Sequence, residues 1–295
     1  MVASPPSVLA VRGLSAPAPG VAEVVVALGE ELFAGHFPGH PTLSAIGQLA
    51  VVEAALCAWK GRPARVAEVG RMRLTRRIAG GEVVVRLEEG DGEGRLGFAL
   101  LVDGELASGG RVGWVEDEGE PPTDVRTADR GPGGAEPRTD VRTRDRGPAG
   151  AEPGRYREDG LPHAGVARML SRVLECGGET IACEARLDAA SPFAGLGRQA
   201  GLAPAWVGVE MAAQAAAALE LSAREEDSGG RLGYLVRLRH LRCGPPTLPV
   251  GEAVRVEATR TAAVATLRTY EVFASVGAEE LLRGELAVLF DPSPP

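Results

Sequence analysis

The sequence predicts an α+β protein made of two halves with the same layout, each an antiparallel sheet wrapped around one central helix. Three observations favour this class. The order of one or two strands, a helix and three or four long strands occurs twice. Both predicted helices are apolar on nearly all sides, which is typical of helices buried on most sides. A segment rich in Gly, Pro and charged residues separates the two halves.

The segment from Glu116 to Asp159 sets the domain boundaries. It contains a 16-residue tandem repeat, TDVRTADRGPGGAEPR followed by TDVRTRDRGPAGAEPG. One valine is the only sizeable apolar residue in each copy, so burial cannot offset the chain entropy of this segment. A short solenoid is the alternative interpretation. We predict an N-terminal domain over 1–115, a flexible linker over 116–159 and a C-terminal domain over 160–295.

The local patterns place the elements of each half. In the first half, the β-like run AEVVVALG precedes a helix from about Leu43 to Trp59, and three β-rich runs follow it. In the second half, ARMLSRVLECGGETIACEARL predicts a hairpin that turns at Gly177–Gly178. An Ala-rich helix from about Pro204 to Leu221 comes next, and further β-rich runs complete the half.

Composition and charge exclude several classes of function. The net charge of −8 argues against nonspecific nucleic-acid binding, which depends on cationic charge. The four cysteines form no CxxC pair and no zinc-type cluster, so we expect reduced cysteines and no metal. The sequence contains no run of about 18 apolar residues, so no membrane span is expected. The N-terminus lacks the pattern of a signal peptide. We therefore expect a cytoplasmic protein.

The stretch LFAGHFPGHPTLSAIGQLAVVEAAL, residues 32–56, carries the first candidate for chemistry. His36 lies in a Gly/Pro loop immediately before the apolar helix. Histidine titrates near neutrality and suits the role of general base, which usually needs a second titratable group. The nearest acid on the following helix is Glu53.

The motif GHFPGHP followed by a helix resembles the hot-dog-fold β-hydroxyacyl-acyl carrier protein dehydratases. Their loop reads roughly G-H-F-P-x-x-P-x-x-P-G-V-x-x-x-E-x-x-x-Q, and the histidine and glutamate of one site come from different subunits of a dimer. In this sequence Ser44 and Ala45 occupy the Pro-Gly positions, and Ala50 occupies the glutamate position. Glu53 is three residues further on, about 300° around the helix, so it is not a simple replacement.

The second half has the complementary deficit. In SPFAGLGRQAGLAPAWVGVEMAAQ, Glu210 and Gln214 match the end of the family pattern, and Leu196 stands fourteen residues before Glu210, at the histidine position. The same Phe-Ala-Gly precedes Leu196 and His36. The resemblance therefore implies a double hot-dog fold, an intramolecular pseudo-dimer with one composite site.

The resemblance extends to the two hot-dog subunits of the bacterial aryl polyene dehydratase, a heterodimer. The IGQLAVV stretch around Gln48 is similar to one subunit, and PAWVGVE is similar to the other. The chain is thus predicted to be a fusion of the two. The opening LPHAGVARMLSRVLE also looks like the entry strand of this family.

The resemblance implies dehydration of a 3-hydroxyacyl-[acyl carrier protein] to the trans-2-enoyl thioester in polyene or fatty-acid-like biosynthesis. His36 is the predicted base. Glu210, among apolar neighbours, is the predicted acid, with a raised pKa. The amides of Gly47 and Gly208 are candidate oxyanion donors. Gln48 and Gln214 are predicted either to support the site or to satisfy buried backbone groups. No cofactor is expected beyond the phosphopantetheine that arrives with the substrate.

Two basic clusters stand out in this acidic chain. They lie at corresponding places in the two halves, after each central helix, and we predict that they dock an acidic carrier protein. An ordinary solvated strand face is the alternative. Their members are Arg71, Arg73, Arg76 and Arg77 in the first half and Arg237, Arg239 and Arg242 in the second. Of the other histidines, His40 and His163 are predicted as loop and turn residues, and His240 as a solvated strand residue.

Three other functions are compatible with the sequence. A hot-dog thioesterase would hydrolyse the thioester. An enoyl-CoA hydratase would use the same chemistry as the dehydratase on coenzyme A esters. A non-catalytic scaffold could position a carrier protein for a ketosynthase partner. Retention of His36 and Glu210 favours the dehydratase over the scaffold.

Overall fold

The computed structural model describes residues 8–37, 39–116, 161–196, 201–223, 233–245 and 247–290. In the N-terminal half, helix α1 (Ala45–Lys60) follows strands β1 (Leu9–Ala18) and β2 (Val21–Leu28). Four strands complete that half: β3 (Ala64–Leu74), β4 (Glu82–Glu89), β5 (Arg95–Val102) and β6 (Glu105–Glu116). The predicted linker lies, except for Glu116, outside the described residues.

The C-terminal half repeats this arrangement around helix α2 (Gly208–Ser222). Three strands precede the helix: β7 (Leu170–Gly177), β8 (Thr180–Ala185) and β9 (Leu202–Pro204). Five follow it: β10 (Gly233–Cys243), β11 (Thr247–Pro249), β12 (Val254–Val264), β13 (Leu267–Val276) and β14 (Glu279–Phe290). The β7–β8 hairpin turns at Gly178, where φ is +58°, as the sequence predicted.

Twelve strands form one sheet in the order β1-β2-β4-β5-β6-β3-β10-β14-β13-β12-β8-β7. From either edge inward, the order of equivalent strands is the same, so the two halves are related by a pseudo-twofold axis. Strands β3 and β10 pair antiparallel at this axis and join the halves into one sheet. The short strands β9 and β11 pair separately. The predicted α+β class with two central helices is confirmed.

Both central helices are buried, which explains their apolar sequences. Every residue of α1 from 45 to 52 is buried. The helix begins after Ser44, whose Oγ accepts a hydrogen bond from the Gly47 amide, and ends at Gly61 in the left-handed conformation. Helix α2 begins four residues later than predicted, because Pro204 is extended and ends strand β9, and a 3₁₀ turn over Ala205–Val207 follows it. No helix among the described residues is long and apolar enough to span a membrane.

Glu53, which did not fit the family spacing, links the two halves. Its Oε2 accepts hydrogen bonds from the Val66 amide at 2.9 Å and from the Trp206 indole Nε1 at 3.1 Å. Trp206 belongs to the C-terminal half and is 1 % exposed. A carboxylate that receives donors from both halves stabilises their contact, so Glu53 has a structural explanation.

We expect the two halves to associate when they are produced as separate chains cut within 117–160. Met72 on β3 and Leu238 on β10 face each other in register and are at most 1 % exposed, and a lone half would expose them to water. Co-expressed halves should co-purify in a 1:1 ratio. Halves that are folded, monomeric and fail to associate by light scattering would contradict the continuous sheet.

Candidate active site

His36 is held in one tautomer by the loop that contains it. Its Nδ1 lies 2.7 Å from the carbonyl oxygen of Thr42. A carbonyl only accepts, so Nδ1 carries the hydrogen, and Nε2 of the neutral ring keeps its lone pair. Burial lowers the pKa of His36, against the opposing effect of the nearby Glu210 carboxylate. The neutral ring, the form that acts as a base, is therefore favoured.

The histidine loop meets the C-terminal half through the backbone. His36 and His163 form an isolated antiparallel bridge, and the Ala164 amide donates to the Gly35 carbonyl at 2.9 Å. Gly35 has a φ of +74°, and a Cβ there would lie 1.9 Å from the Ala164 oxygen. Glycine is required at this position because of both its conformation and this close approach.

Glu210 lies in the first turn of α2 and is 5 % exposed. Its Oε1 accepts hydrogen bonds from Gln214 Nε2 at 3.1 Å and from His163 Nε2 at 2.9 Å. Gln214 is itself held by the Ala167 carbonyl and the Met169 amide. Oε2 of Glu210 accepts no hydrogen bond from any described residue. The glutamate is therefore fixed through one oxygen, and the other oxygen is available.

The structure brings His36 and Glu210 together from opposite halves, as the complementary deficits predicted. One nitrogen or oxygen atom each of His36, His163 and Glu210 lies within 4.8 Å of the others. Ala50 is buried and Leu196 packs against the core. Neither has a titratable group, so the sequence positions equivalent to Glu210 and His36 supply no second acid–base pair.

The placement of His163 corrects the prediction that it is a turn residue. Its side chain is buried against Glu210, and its Nδ1 has no hydrogen-bond partner among the described residues. His163 precedes Glu210 by 47 positions, and no local pattern places it there. The signal available in the sequence was its position at the start of LPHAGVARMLSRVLE, the stretch that resembles the family's entry strand.

The ionisation of Glu210 also differs from the prediction. Burial by itself would raise its pKa, but the hydrogen bond and charge of His163, the charge of His36 and the hydrogen bond from Gln214 together lower it below its usual range. The predicted carboxylic acid with a raised pKa is thus wrong, because two donors converge on Oε1. The lowered pKa favours the carboxylate form of Glu210.

Neither predicted oxyanion donor is free. The Gly47 amide donates to Ser44 Oγ at 3.1 Å, and the Gly208 amide donates into the preceding 3₁₀ turn. Gln48 is buried, and its Nε2 donates to the Leu43 carbonyl at 3.2 Å, which is the backbone-satisfying role considered for it. Gln214 instead supports the site directly, through Glu210.

A cavity of about 220 Å³ extends from these groups between the helices and strands β10 and β14. Gln48 and Ala45 line it on α1, and Glu210 lines it on α2. Arg76 and Arg77 of the first basic cluster also contribute to its lining. His40 and His240 are exposed, as predicted.

His36, His163 and Glu210 are also a donor set that zinc or iron can use. In the described arrangement, His163 Nε2 donates its hydrogen to Glu210 Oε1, so that nitrogen has no lone pair for a metal. Metal binding would require the His163 ring to turn. The expectation that the protein uses no metal stays a prediction.

Sheet order, central helices and a site between the halves define a double hot-dog fold. A dehydratase-cyclase domain from ambruticin biosynthesis superposes with a TM-score of 0.60 at 16 % identity, covering 95 % of each chain. The dehydratase domain of PpsC from Mycobacterium tuberculosis gives 0.59 at 16 % identity, covering 95 % of this chain and 97 % of that one. A hot-dog protein from Alicyclobacillus acidocaldarius gives 0.50 at 11 % identity over 95 % and 96 %. At these identities the likeness establishes the fold.

The C-terminal half gives a more specific match. Residues 157–294 match the family model of the ApeP dehydratase, and this range includes His163, Glu210 and Gln214. The comparison with curated protein sequences gave no match. The predicted resemblance to a hot-dog dehydratase is confirmed over this half. The assignment of the N-terminal half to the second subunit of such an enzyme stays a prediction.

We expect His163→Ala to raise the pKa of Glu210. The substitution removes the donor that contributes most to the low pKa, while burial, which favours the neutral acid, remains. In the variant the carboxyl group should therefore take up its proton at a higher pH. Carboxyl carbon-13 NMR titration measures this directly. His40→Ala, at an exposed position of the loop that holds His36, should leave the titration unchanged; an unchanged titration in His163→Ala would contradict this account.

Proposed function

We propose that the protein dehydrates 3-hydroxyacyl thioesters to trans-2-enoyl thioesters at one composite site. The observation that carries the proposal is the pairing, within 4.8 Å, of a neutral histidine from one half with a glutamate carboxylate from the other. Both groups line a cavity suited to an acyl chain. The match of the C-terminal half to a dehydratase family supports the same reaction.

The proposed reaction begins at His36. Its Nε2 removes a proton from C2, beside the thioester carbonyl, and becomes an imidazolium that the charge of Glu210 stabilises. The C2–H electron pair forms the C2–C3 double bond as the C3–O bond breaks. Because Glu210 is ionised, we assign the proton for the departing hydroxyl to the same imidazolium, which returns to its neutral form. The products are the enoyl thioester and water.

Glu210 then has a positioning role in place of the acid role expected from the sequence. Its available Oε2 can accept a hydrogen bond from the 3-hydroxyl group, while His163 and Gln214 hold Oε1. This orients the C3–O bond toward His36 and keeps the two reacting positions on one side of the substrate. The substrate and His36 are thereby held in a fixed relative geometry, which lowers the entropic cost of bringing the reacting groups together.

The thioester oxygen needs a donor other than Gly47. Amides in the first turn of a helix lack intrahelical partners, and Ala45 at the start of α1 lines the cavity. The Ala45 amide does not donate to Ser44 Oγ, which accepts from the Gly47 amide. We assign the Ala45 amide to the developing enolate-like oxygen, assisted by the positive end of the helix dipole.

His36→Ala and Glu210→Gln should each lower the rate of water loss by about 10²-fold or more, the range for general acid–base groups. Their combined effect should be far from additive because the two residues act as a unit. Mass spectrometry of a carrier-bound 3-hydroxyacyl substrate separates loss of water from loss of the thioester. Thioester hydrolysis without dehydration would favour the thioesterase, and full activity in both variants would contradict the site. A chelator should leave the rate unchanged.

The basic clusters form one surface along the pairing of β3 with β10, the seam that joins the two halves of the sheet. Arg73 lies directly opposite Arg237, and Arg71 lies opposite Arg239 and, on its other side, Arg111. Like charges directly opposite in a sheet repel, and Arg73, the largest contributor, and its neighbours lower the pKa of Arg71. None of these five arginines has an ion pair among the described residues.

The two strands thus create a single cationic patch, to which each half contributes. Arg76 differs, because it is paired with Glu105 at 2.6 Å. An acidic partner would relieve the repulsion within the patch and is expected to associate faster because of it. We propose that the patch docks the acyl carrier protein, and that its phosphopantetheine enters the cavity beside Arg77.

Charge reversal at the seam should separate carrier recognition from chemistry. The double variant Arg73→Glu/Arg237→Glu should raise KM for a carrier-bound substrate, because it replaces two of the repelling cations with acids. KM for a small pantetheine substrate should change little. Arg12→Glu, on the distant edge strand β1, is the matched control for surface charge. Equal increases in KM for both substrates would indicate a structural role for the seam.

A further inference from the structure

Two alanines keep accessible surface on an otherwise buried stretch of α2. Every residue of the range 208–220 is buried except Ala213 and Ala217. Both alanines line the cavity that begins at His36 and Glu210. They lie three and seven residues after Glu210, which places all three on one face of the helix. The part of the cavity beside the two alanines is named the α2 channel.

Helix α1 shows what larger side chains do at the equivalent positions. Counting from Ala50, the sequence equivalent of Glu210, the counterparts of the two alanines are Glu53 and Cys57. Glu53 accepts a hydrogen bond from a β3 amide at 2.9 Å, and Cys57 donates to a β3 carbonyl at 3.1 Å. Alanine has no atom beyond Cβ, so α2 leaves a channel where α1 has side chains that reach the sheet.

The α2 channel runs toward the end of β14. A Cβ on Gly208 would lie 2.5 Å from Leu282, so the start of α2 packs near the start of β14. Glu220, near the end of α2, accepts a hydrogen bond from Tyr270, whose partner on β14 is Leu286. Helix and strand therefore run in the same direction, and the last residues of β14 lie toward the C-terminal end of α2.

An aromatic ring lies at this end of the channel. Phe290, the last residue of β14, lines the cavity together with Gly233 of β10 and Leu221 of α2. Its ring lies across Gly233, its partner in the sheet, since a Cβ there would be 2.8 Å from the ring atom Cε1. A side chain at position 233 would displace the ring. The Phe290 ring is thus an end wall for a chain that passes the two alanines.

The sides of the α2 channel are apolar. Leu235 and Val288 line the cavity from the sheet. Glu220 also lines it, but its Oε1 is already bonded to Tyr270 and Arg260. Burial of methylene groups is therefore the main interaction that this channel offers, and each buried methylene improves binding by about fourfold.

The dimensions of the channel correspond to a chain length. Ala217 lies about 10 Å beyond Glu210 along the helix axis, and Leu221 lies about 16 Å beyond it. An extended chain advances about 1.2 Å per bond. A chain that passes both alanines and ends at the Phe290 ring therefore has roughly eight to thirteen bonds beyond C3.

We propose that Ala213, Ala217 and Phe290 select the length of the acyl chain. The two alanines keep the channel open, and the ring determines where it ends. The proposal rests on the dehydratase function and specifies its substrate class: 3-hydroxyacyl thioesters with an apolar chain of about 11 to 16 carbons.

The first test compares 3-hydroxyacyl pantetheines of six and twelve carbons. The shorter chain ends before the level of Ala217, and the longer chain reaches it. Wild-type kcat/KM should be at least about tenfold higher for the twelve-carbon substrate, because more methylene groups are buried. Ala217→Leu places a branched side chain in the channel. It should lower kcat/KM for the twelve-carbon substrate by about tenfold or more and change the six-carbon value little.

Phe290→Ala tests the end wall in the opposite direction. An eighteen-carbon substrate has fifteen bonds beyond C3, about 18 Å, and exceeds the length of the channel. Without the ring, kcat/KM for this substrate should rise about tenfold relative to the twelve-carbon substrate. This variant covers the case that Ala217→Leu fails to fold. An unchanged ratio in Phe290→Ala would overturn the end wall.

Ala223→Leu is the matched control. It adds the same side chain at an exposed position at the end of α2 that does not line the cavity, so the length preference should persist. Equal kcat/KM for six and twelve carbons in the wild type would overturn the length selection and leave the dehydratase function intact. Equal losses for both substrates in Ala217→Leu would overturn it too, because Ala217 would then support the fold and not the chain.

A binding experiment separates the two proposals. Calorimetry with saturated acyl pantetheines of six and twelve carbons, which lack the 3-hydroxyl, requires no turnover. Suppose that no substrate is dehydrated, but the twelve-carbon ligand binds at least about tenfold more tightly to the wild type and loses this advantage in Ala217→Leu. The proposed reaction then fails and the length selection stands. Equal wild-type affinities would overturn the length selection whatever the reaction.

Discussion

The antiparallel pairing of β3 with β10 is the constraint on which the other features of the molecule depend. Each half alone is a six-stranded half-sheet around one helix, with an unpaired edge at β3 or β10. Joining the two edges buries Met72 and Leu238 and places the two helices side by side. It also brings the histidine loop of one half to the start of the helix of the other. The composite site and the cationic seam both follow from this single pairing.

Within the site, hydrogen bonds to one oxygen outweigh burial. Desolvation favours the neutral form of Glu210, yet the donors His163 and Gln214 and the nearby His36 keep it ionised. The unprotonated Nε2 of His36 and the carboxylate of Glu210 therefore have complementary roles. The histidine is the base, and the carboxylate stabilises the positive charge that the histidine acquires.

The sequence was sufficient for the fold and for the central pair, for different reasons. The apolar helices and repeated strand order are local patterns, and they predicted the layout, with the start of α2 misplaced because Pro204 belongs to a short strand. His36 and Glu210 were found through a family spacing that each half satisfies in part. His163, in contrast, forms a backbone bridge with His36 and donates its Nε2 hydrogen to Glu210, and no periodicity in the sequence predicts such a contact. The predicted charge state of Glu210 was wrong as well, because the pKa of this residue depends on the hydrogen bond from His163. The predicted linker lies outside the described residues, apart from Glu116.

The asymmetry of the halves constrains how they can work. A pair of N-terminal halves would place His36 opposite Ala50, and a pair of C-terminal halves would place Leu196 opposite Glu210. Neither pairing contains a base and a carboxylate at one site. Only the mixed pair does, and it does so once, because Ala50 and Leu196 stand at the sequence positions equivalent to Glu210 and His36. Covalent fusion supplies the two halves in equal number and at high effective concentration, which favours the mixed pair over the two inactive ones. The loss of one residue from each half is therefore tolerable only while the halves remain together, and the buried seam and the Glu53 contact keep them so.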